Sequence, residues 1–199
     1  MNQLRLIQST APQLDQLSDE NLIRLFQSGD ESVFRILVYR YQERIRNLLY
    51  SMFGDADLVE DLAQEVFIKA YHALAGFQFR SSFYTWLYRI AVNHSRDEMR
   101  RRKVRRFLSL QGMMESGSRE LHTKLRVLPR TGDLEQIINL GLQAIPDKYR
   151  LPIVLKDIEG FSYKEMAEIM KCEIGTVKSR LARARSMLQK VLEPMLKEE

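Results

Sequence analysis

The sequence predicts an all-α fold in two small helical domains joined by a flexible linker, and three observations carry that reading. Apolar residues recur at three- and four-residue spacing between Ser or Asp caps and glycine stops, the pattern of helices that bury one face. That period lapses between Val104 and Asp133, where Gly112, Ser116, Gly117, Ser118, Pro129 and Gly132 mark a linker. Charge is also partitioned: residues 1–75 hold 7 basic and 11 acidic side chains, residues 76–132 hold 13 and 4, and residues 133–199 hold 11 of each. An acidic front, a basic middle and a balanced back suggest a protein surface, a nucleic-acid surface and a mixed module. With 199 residues, 45% of them hydrophobic, the chain can build one large or two small domains and is too apolar to be disordered by composition.

Residues 1–17 show no clear period and read as a mobile lead-in. Ser18 or Asp19 can cap a short helix carrying Leu22, Leu25 and Phe26, which Gly29 ends. Asp30 or Ser32 can cap a longer one, with Phe34, Leu37, Val38, Tyr41, Ile45, Leu48, Leu49 and Met52 on one face until Gly54. A third opens with Asp57 and Glu60 at capping-box spacing and runs to about Leu74. Leu58, Val59, Leu62, Ala63, Val66 and Ala70 form its inner side, while Asp61, Gln64, Glu65, Phe67, Ile68 and Tyr71 lie on or near the outer side. Acids and amides mixed with large apolar groups suit a partner surface, although another part of the domain could equally cover Phe67 and Ile68.

The most polarised stretch follows. Six of the twelve residues from Phe77 to Tyr88 are aromatic, and seven of the eleven from Arg96 to Arg106 are Lys or Arg. Rings offer faces on which unpaired bases stack and cations follow a phosphate backbone, so the stretch outlines a site for melted DNA. A helix from Ser82 would place Phe83, Leu87, Ile90, Ala91 and His94 in the core, and Trp86, Arg89, Asn93, Arg96 and Arg100 on a separate stripe. The loop before it, with Phe77, Phe79, Arg80 and Ser81, reads as displaying rings beside that stripe, and Arg101 adds a further cation.

In the linker, Arg119 to Val127 could form a helical turn or two. The back module begins with Asp133 as a cap and Leu134, Ile137, Ile138 and Leu142 as an apolar face. The next helix contains Pro152, which cannot donate a backbone hydrogen bond, so a kink or a late start is expected. Ser162 and Glu165 then form a capping box before a short helix, a turn at Lys171 to Glu173, and a last helix from about Gly175 to Leu192. From Ile174 to Lys190 there are five cations and no acid. Val177, Leu181, Ala184 and Leu188 face inward, leaving Thr176, Lys178, Ser179, Arg180 and Arg183 for a major-groove reader in a helix-turn-helix.

Other functions find less support. There is no phosphate-cradling glycine loop, no HExxH and no cysteine pair for zinc; His72, His94 and His122 are scattered, and His94 falls on an apolar face. Asp57, Glu60, Asp61 and Glu65 suit capping and docking better than acid–base catalysis, so no catalytic residue, metal or cofactor is assigned and the chain does not read as an enzyme. The single Cys172 excludes an internal disulfide and fits a reducing cytoplasm, and neither an export signal nor a membrane-spanning run is present.

Together these residues resemble a bacterial extracytoplasmic-function (ECF) sigma factor, the branch of the sigma-70 superfamily that keeps only domains two and four. The similarity covers nearly everything from Asp19 to Leu192 except the linker. DLAQEVFIKAY (Asp61 to Tyr71) is similar to the helix that grips the clamp of the polymerase beta-prime subunit, and FYTWLYRIAVN (Phe83 to Asn93) to the helix that opens the minus-ten element. GFSYKEMAEIM with GTVKSRLARAR (Gly160 to Met170, Gly175 to Arg185) is similar to the minus-thirty-five reader. The resemblance implies sigma domain 2 over residues 18–105, a linker over 106–132 and sigma domain 4 over 133–199.

It further implies polymerase binding by Asp61, Gln64, Glu65, Phe67 and Ile68, and minus-ten contacts from Phe77, Phe79, Arg80, Ser81, Trp86, Arg89, Asn93, Arg96, Arg100 and Arg101. The expected partners are core RNA polymerase (beta-prime clamp and beta flap), promoter DNA both double- and single-stranded, and an anti-sigma factor, all in the cytoplasm without membrane insertion. Two features depart from the family: Gln78-Phe79 stands where Arg-Gly is common, and the linker is basic where relatives often carry acids. The competing readings are a free-standing helix-turn-helix transcriptional regulator, which leaves the front half unexplained, and a nucleic-acid enzyme, which lacks a catalytic constellation.

Overall fold

The computed structural model describes residues 14–115 and 134–196. Asp133 and the possible turn at Arg119 to Val127 lie outside the described residues, as does the lead-in before Leu14. The described residues form eight α-helices: α1 (Asp19–Gln27), α2 (Phe34–Phe53), α3 (Ala56–Leu74), α4 (Phe83–Glu115), α5 (Leu134–Ala144), α6 (Asp147–Ile153), α7 (Tyr163–Met170) and α8 (Ile174–Leu196). The described chain is all-α. It divides into two compact units, one built on residues up to Tyr50 with Asp55–Ala91, the other on Ser51–Gly54 and the residues from Val92 onward.

In the first unit, Ser18 caps α1 by accepting from the Asn21 amide at 3.3 Å, which satisfies one of the donors a helix start leaves open. Asp30 caps a 3-10 turn over Glu31–Val33 that feeds into α2. Helix α3 starts earlier than the Asp57–Glu60 spacing suggests: Asp55 is its cap, accepting from Leu58 N–H at 3.2 Å. The core lies between these helices and the start of α4, with Leu22, Ile23, Leu37, Ile45, Leu48, Leu49, Val66, Leu74 and Leu87 fully or almost fully buried. Each such side chain contributes roughly 1.5–3 kcal/mol of burial. Part of the segment read as a lead-in is tied down, because Arg40 donates to the carbonyls of Asp15 (2.7 Å) and Leu17 (2.6 Å) and pairs with Asp19 (2.7 Å).

Helix α4 runs well past Val104, where the hydrophobic period lapses. Across the point of lapse Glu98, 6% exposed, pairs with Arg101 (3.7 Å), Arg102 (3.3 Å) and Arg105 (2.8 Å) at the i+3, i+4 and i+7 positions. A charge ladder thus replaces an apolar face.

In the second unit, Leu142, Ile145, Leu151, Val154, Leu155, Met166, Ile169, Val177, Leu181 and Ala184 are buried. Leu134, expected on the apolar face of α5, is instead 61% exposed because it sits at the first turn, beyond the packed part of that helix. Pro152 ends the regular α6 ladder, and the chain rewinds as a π-turn over Val154–Ile158, with Glu159 N–H reaching Val154 O at 3.0 Å. Buried Arg150 stops α5 from the side, donating to the carbonyls of Leu142 (2.7 Å), Gln143 (3.0 Å) and Ile145 (3.0 Å).

Candidate nucleic-acid and partner interfaces

The first candidate surface lies between α2 and α3, where a cleft of about 700 Å³ opens to solvent. Asp61, Gln64, Phe67 and Ile68 line it from α3, opposite Phe34, Val38 and Gln42 of α2. Asp61, Gln64, Glu65 and Ile68 are exposed, Ile68 by 50%, as the helical phase predicts. Phe67 is not: at 8% exposure it forms the apolar floor, and Glu65 stands outside the cleft. The outer phase of Phe67 misled because its ring lies at the bottom of the cleft that Phe34, Val38 and Gln42 of α2 line from the other side. One end is walled by the ring cluster Phe26, Phe34 and Tyr71, with centroids 5.2–5.9 Å apart. The other carries Arg46, which donates to Glu43 (2.6 Å) and Glu60 (3.1 Å).

The second candidate is the loop from Gly76 to Ser82 with the start of α4. Ser82 begins the helix, its hydroxyl accepting from Thr85 N–H at 3.1 Å. The expectation that this loop displays its rings fails for Phe77, and the expectation that Trp86 lies on the DNA-facing stripe of α4 fails with it. Phe77 (7% exposed) and Trp86 (9%) pack edge to face at 5.2 Å, with Phe83 6.4 Å from Phe77 and 5.6 Å from Trp86. An edge-to-face cluster of that size buries too much area to leave two rings in water, so these aromatics are core. Phe79 and Ser81 are half-buried, and Arg80 is exposed.

Along α4, Arg89 and Asn93 are half-buried, while Arg100 and Arg101 are exposed. Arg96, expected on the DNA-facing stripe, is half-buried and donates to Met170 O at 3.2 Å; desolvation there pulls its pKa down.

The third candidate is the helix-turn-helix of α7 and α8. Ser162 and Glu165 complete the capping box in both directions, with Ser162 N–H to Glu165 at 2.9 Å and Glu165 N–H to Ser162 Oγ at 3.3 Å. Lys171 turns the chain in the left-handed region (φ 53°), its N–H meeting Ala167 O. On α8, Val177, Leu181 and Ala184 face inward as predicted; Lys178, Ser179 and Arg183 are exposed and Thr176 is half-buried. Arg180 differs, being half-buried at a cavity of about 260 Å³ that Arg96 and Met170 also line.

Three groups escaped sequence reasoning. Gln27 and Arg24 of α1 hold the Gly76–Ser82 loop, and nothing near them in the sequence signals it. Glu98 could have been found, since an acid followed by arginines three, four and seven residues on is a helical ladder. Among the described residues no group of His, Cys, Asp and Glu could hold a metal ion, and no helix is long and apolar enough to cross a membrane.

A short helix closed by a capping box, a tight turn and a second helix with exposed cations is the pattern of a DNA-binding protein of the helix-turn-helix class. Residues 37–105 match the family described as Sigma-70 region 2, and residues 136–188 match Sigma-70, region 4. The chain is 36% identical to the RNA polymerase sigma-H factor of Pseudomonas aeruginosa over 192 residues, 93% of this chain and 99% of that one. It is also 36% identical to the ECF RNA polymerase sigma-E factor of Escherichia coli K12 over 189 residues, 92% and 98% of the two chains. In structure it is similar to the sigma factor RpoE in complex with the anti-sigma factor NepR from Bartonella quintana (TM-score 0.63, 29% identity, 80% of this chain and 96% of that one). The chain belongs to the ECF branch of the sigma-70 family, and its function is promoter recognition in transcription initiation. The family is not enzymatic, and the similarity spans both modules, which a free-standing helix-turn-helix regulator would not require.

Proposed function

We propose that the α2–α3 cleft is the docking site for core RNA polymerase, by way of the beta-prime clamp. The observation that carries this is the pairing of an apolar floor, Phe67, with an exposed rim of Asp61, Gln64 and Ile68 on one open cleft. An amphipathic helical segment carrying cations would bury its apolar ridge on the floor and pair with the rim acids. Glu65 extends the acidic rim. Region 4 meets the beta flap and the minus-thirty-five element, with Lys178, Ser179 and Arg183 nearest the DNA and Thr176 and Arg180 beside them. The Gly76–Ser82 loop, with Arg80 and Ser81, captures a base from the melted minus-ten strand. Arg89, Asn93, Arg100 and Arg101 follow the backbone, and Arg96 joins them by exchanging the Met170 carbonyl for a phosphate. Phe77 and Trp86 support that loop from below rather than stacking on DNA. We further infer that the protein works in the cytoplasm and that an anti-sigma factor regulates it, as one partners the Bartonella relative.

Changing Asp61, Gln64 and Glu65 together to Ala tests the docking site. Binding to core polymerase should weaken by more than about tenfold while helical circular dichroism is unchanged. Parental affinity in the triple variant overturns the assignment.

A further inference from the structure

Phe79 occupies a backbone conformation that belongs to glycine. Its φ is +56°, in the left-handed region where a Cβ crowds the neighbouring carbonyl, so something must hold it there. The holding groups come from α1. The Arg24 guanidinium lies over the Phe79 ring, 4.6 Å from its centroid, and is itself gripped by Glu20 at 2.7 Å. Gln27, one turn on, places its side-chain amide within hydrogen-bond reach of the carbonyls of Leu74 (3.2 Å), Ala75 (3.4 Å) and Phe77 (2.9 Å). Beneath, Phe77 meets Phe79 edge to face at 4.9 Å. A half-buried aromatic ring is thus fixed at the rim of the loop, with a cation on one face and core rings behind it.

A cation over a ring at the surface is a weak, reversible contact, which a flat π-system can replace or extend. Strained, over-determined residues gather where a ligand is gripped. We propose that Phe79 is a base-selecting residue, its ring forming the stacking wall against which the captured minus-ten base lies, and that Arg24 and Gln27 are the positioning residues that aim it. This rests on the reading that the Gly76–Ser82 loop captures a base. Glycine at residue 79 would leave the loop open on that side and selective by backbone alone, whereas a ring makes the wall sensitive to the size and stacking strength of the base. Arg24 acts through Phe79, as the cation that fixes the orientation of its ring.

The test uses holoenzyme reconstituted with core polymerase and promoter templates that carry each of the four bases in turn at every minus-ten position. Run-off transcription from the parent should show one position with a marked base preference. Phe79→Gly should flatten the preference at that position alone by about tenfold, the scale of losing one base–aromatic stack. Arg24→Gln should flatten it by about threefold and Arg24→Lys should restore it, since an ammonium also sits on a ring face. A purely structural role would lower transcription from all templates alike. Glycine is at ease at a positive φ, so Phe79→Gly should fold, and Phe79→Leu keeps an apolar side chain as a second variant. If the parent discriminates and Phe79→Gly, Phe79→Leu and Arg24→Gln all keep its ratios, this inference alone is overturned. If the parent shows no preference at any minus-ten position, base capture by the loop falls as well.

Discussion

Among the described residues two non-glycine positions adopt a left-handed backbone, Lys171 (φ 53°) in the turn of the helix-turn-helix and Phe79 (φ 56°) in the loop before α4. The conformation is the same, and its support is not. Lys171 closes α7 as a helix C-cap, its N–H bonded to Ala167 O, with an exposed side chain that takes no part in holding the turn. Phe79 is held by its own ring, between Arg24 and Phe77, in a loop that Gln27 ties down from 47 to 50 residues away. The turn of the helix-turn-helix is therefore set by neighbours along the chain. The loop before α4 is set by tertiary contacts, and its side chains are its structure.

That contrast makes ordered predictions. The largest effect is expected for Phe77→Ala, which removes a 7%-exposed ring packed on Phe79, Phe83 and Trp86. It should cost about 3–5 kcal/mol. Trp86 is the only tryptophan in the chain and lies in that cluster, so its fluorescence during urea unfolding reads the change. A loss below about 1 kcal/mol would contradict the assignment of these rings to the core.

A smaller pair of changes sharpens the comparison. Gln27→Ala removes the amide that reaches the carbonyls of Leu74, Ala75 and Phe77 and should cost about 1–2 kcal/mol, seen in the Trp86 transition. Ser162→Ala breaks the capping box of α7 and should cost about 1 kcal/mol, seen as faster amide exchange at the start of that helix. If Ser162→Ala shifts the Trp86 transition as much as Gln27→Ala does, the two regions do not draw on separate supports. The smallest effect, with the opposite sign, is expected for Lys171→Gly. Relief of the left-handed strain, set against the added freedom of the unfolded chain, should raise stability by about 0.5 kcal/mol in denaturant titration.

The sequence alone determined what local interactions decide. Caps such as Ser18, the Ser162–Glu165 box, the inward phase of Val177, Leu181 and Ala184 and the exposed rim of Asp61, Gln64 and Ile68 all follow from contacts within one helical turn. The helix-turn-helix was legible for that reason, and with it the family. Tertiary structure decided which of the large side chains at the edge of a phase are covered. Phe67 became a floor because residues of α2 line the other side of its cleft, and Phe77 and Trp86 became core because their rings meet each other and Phe83. The contacts of Arg24 and Gln27 could not be read at all, since helical periodicity says which face a residue is on but not which distant loop that face will meet. Burial depends on what lies opposite, and only the folded chain brings the opposite side into place.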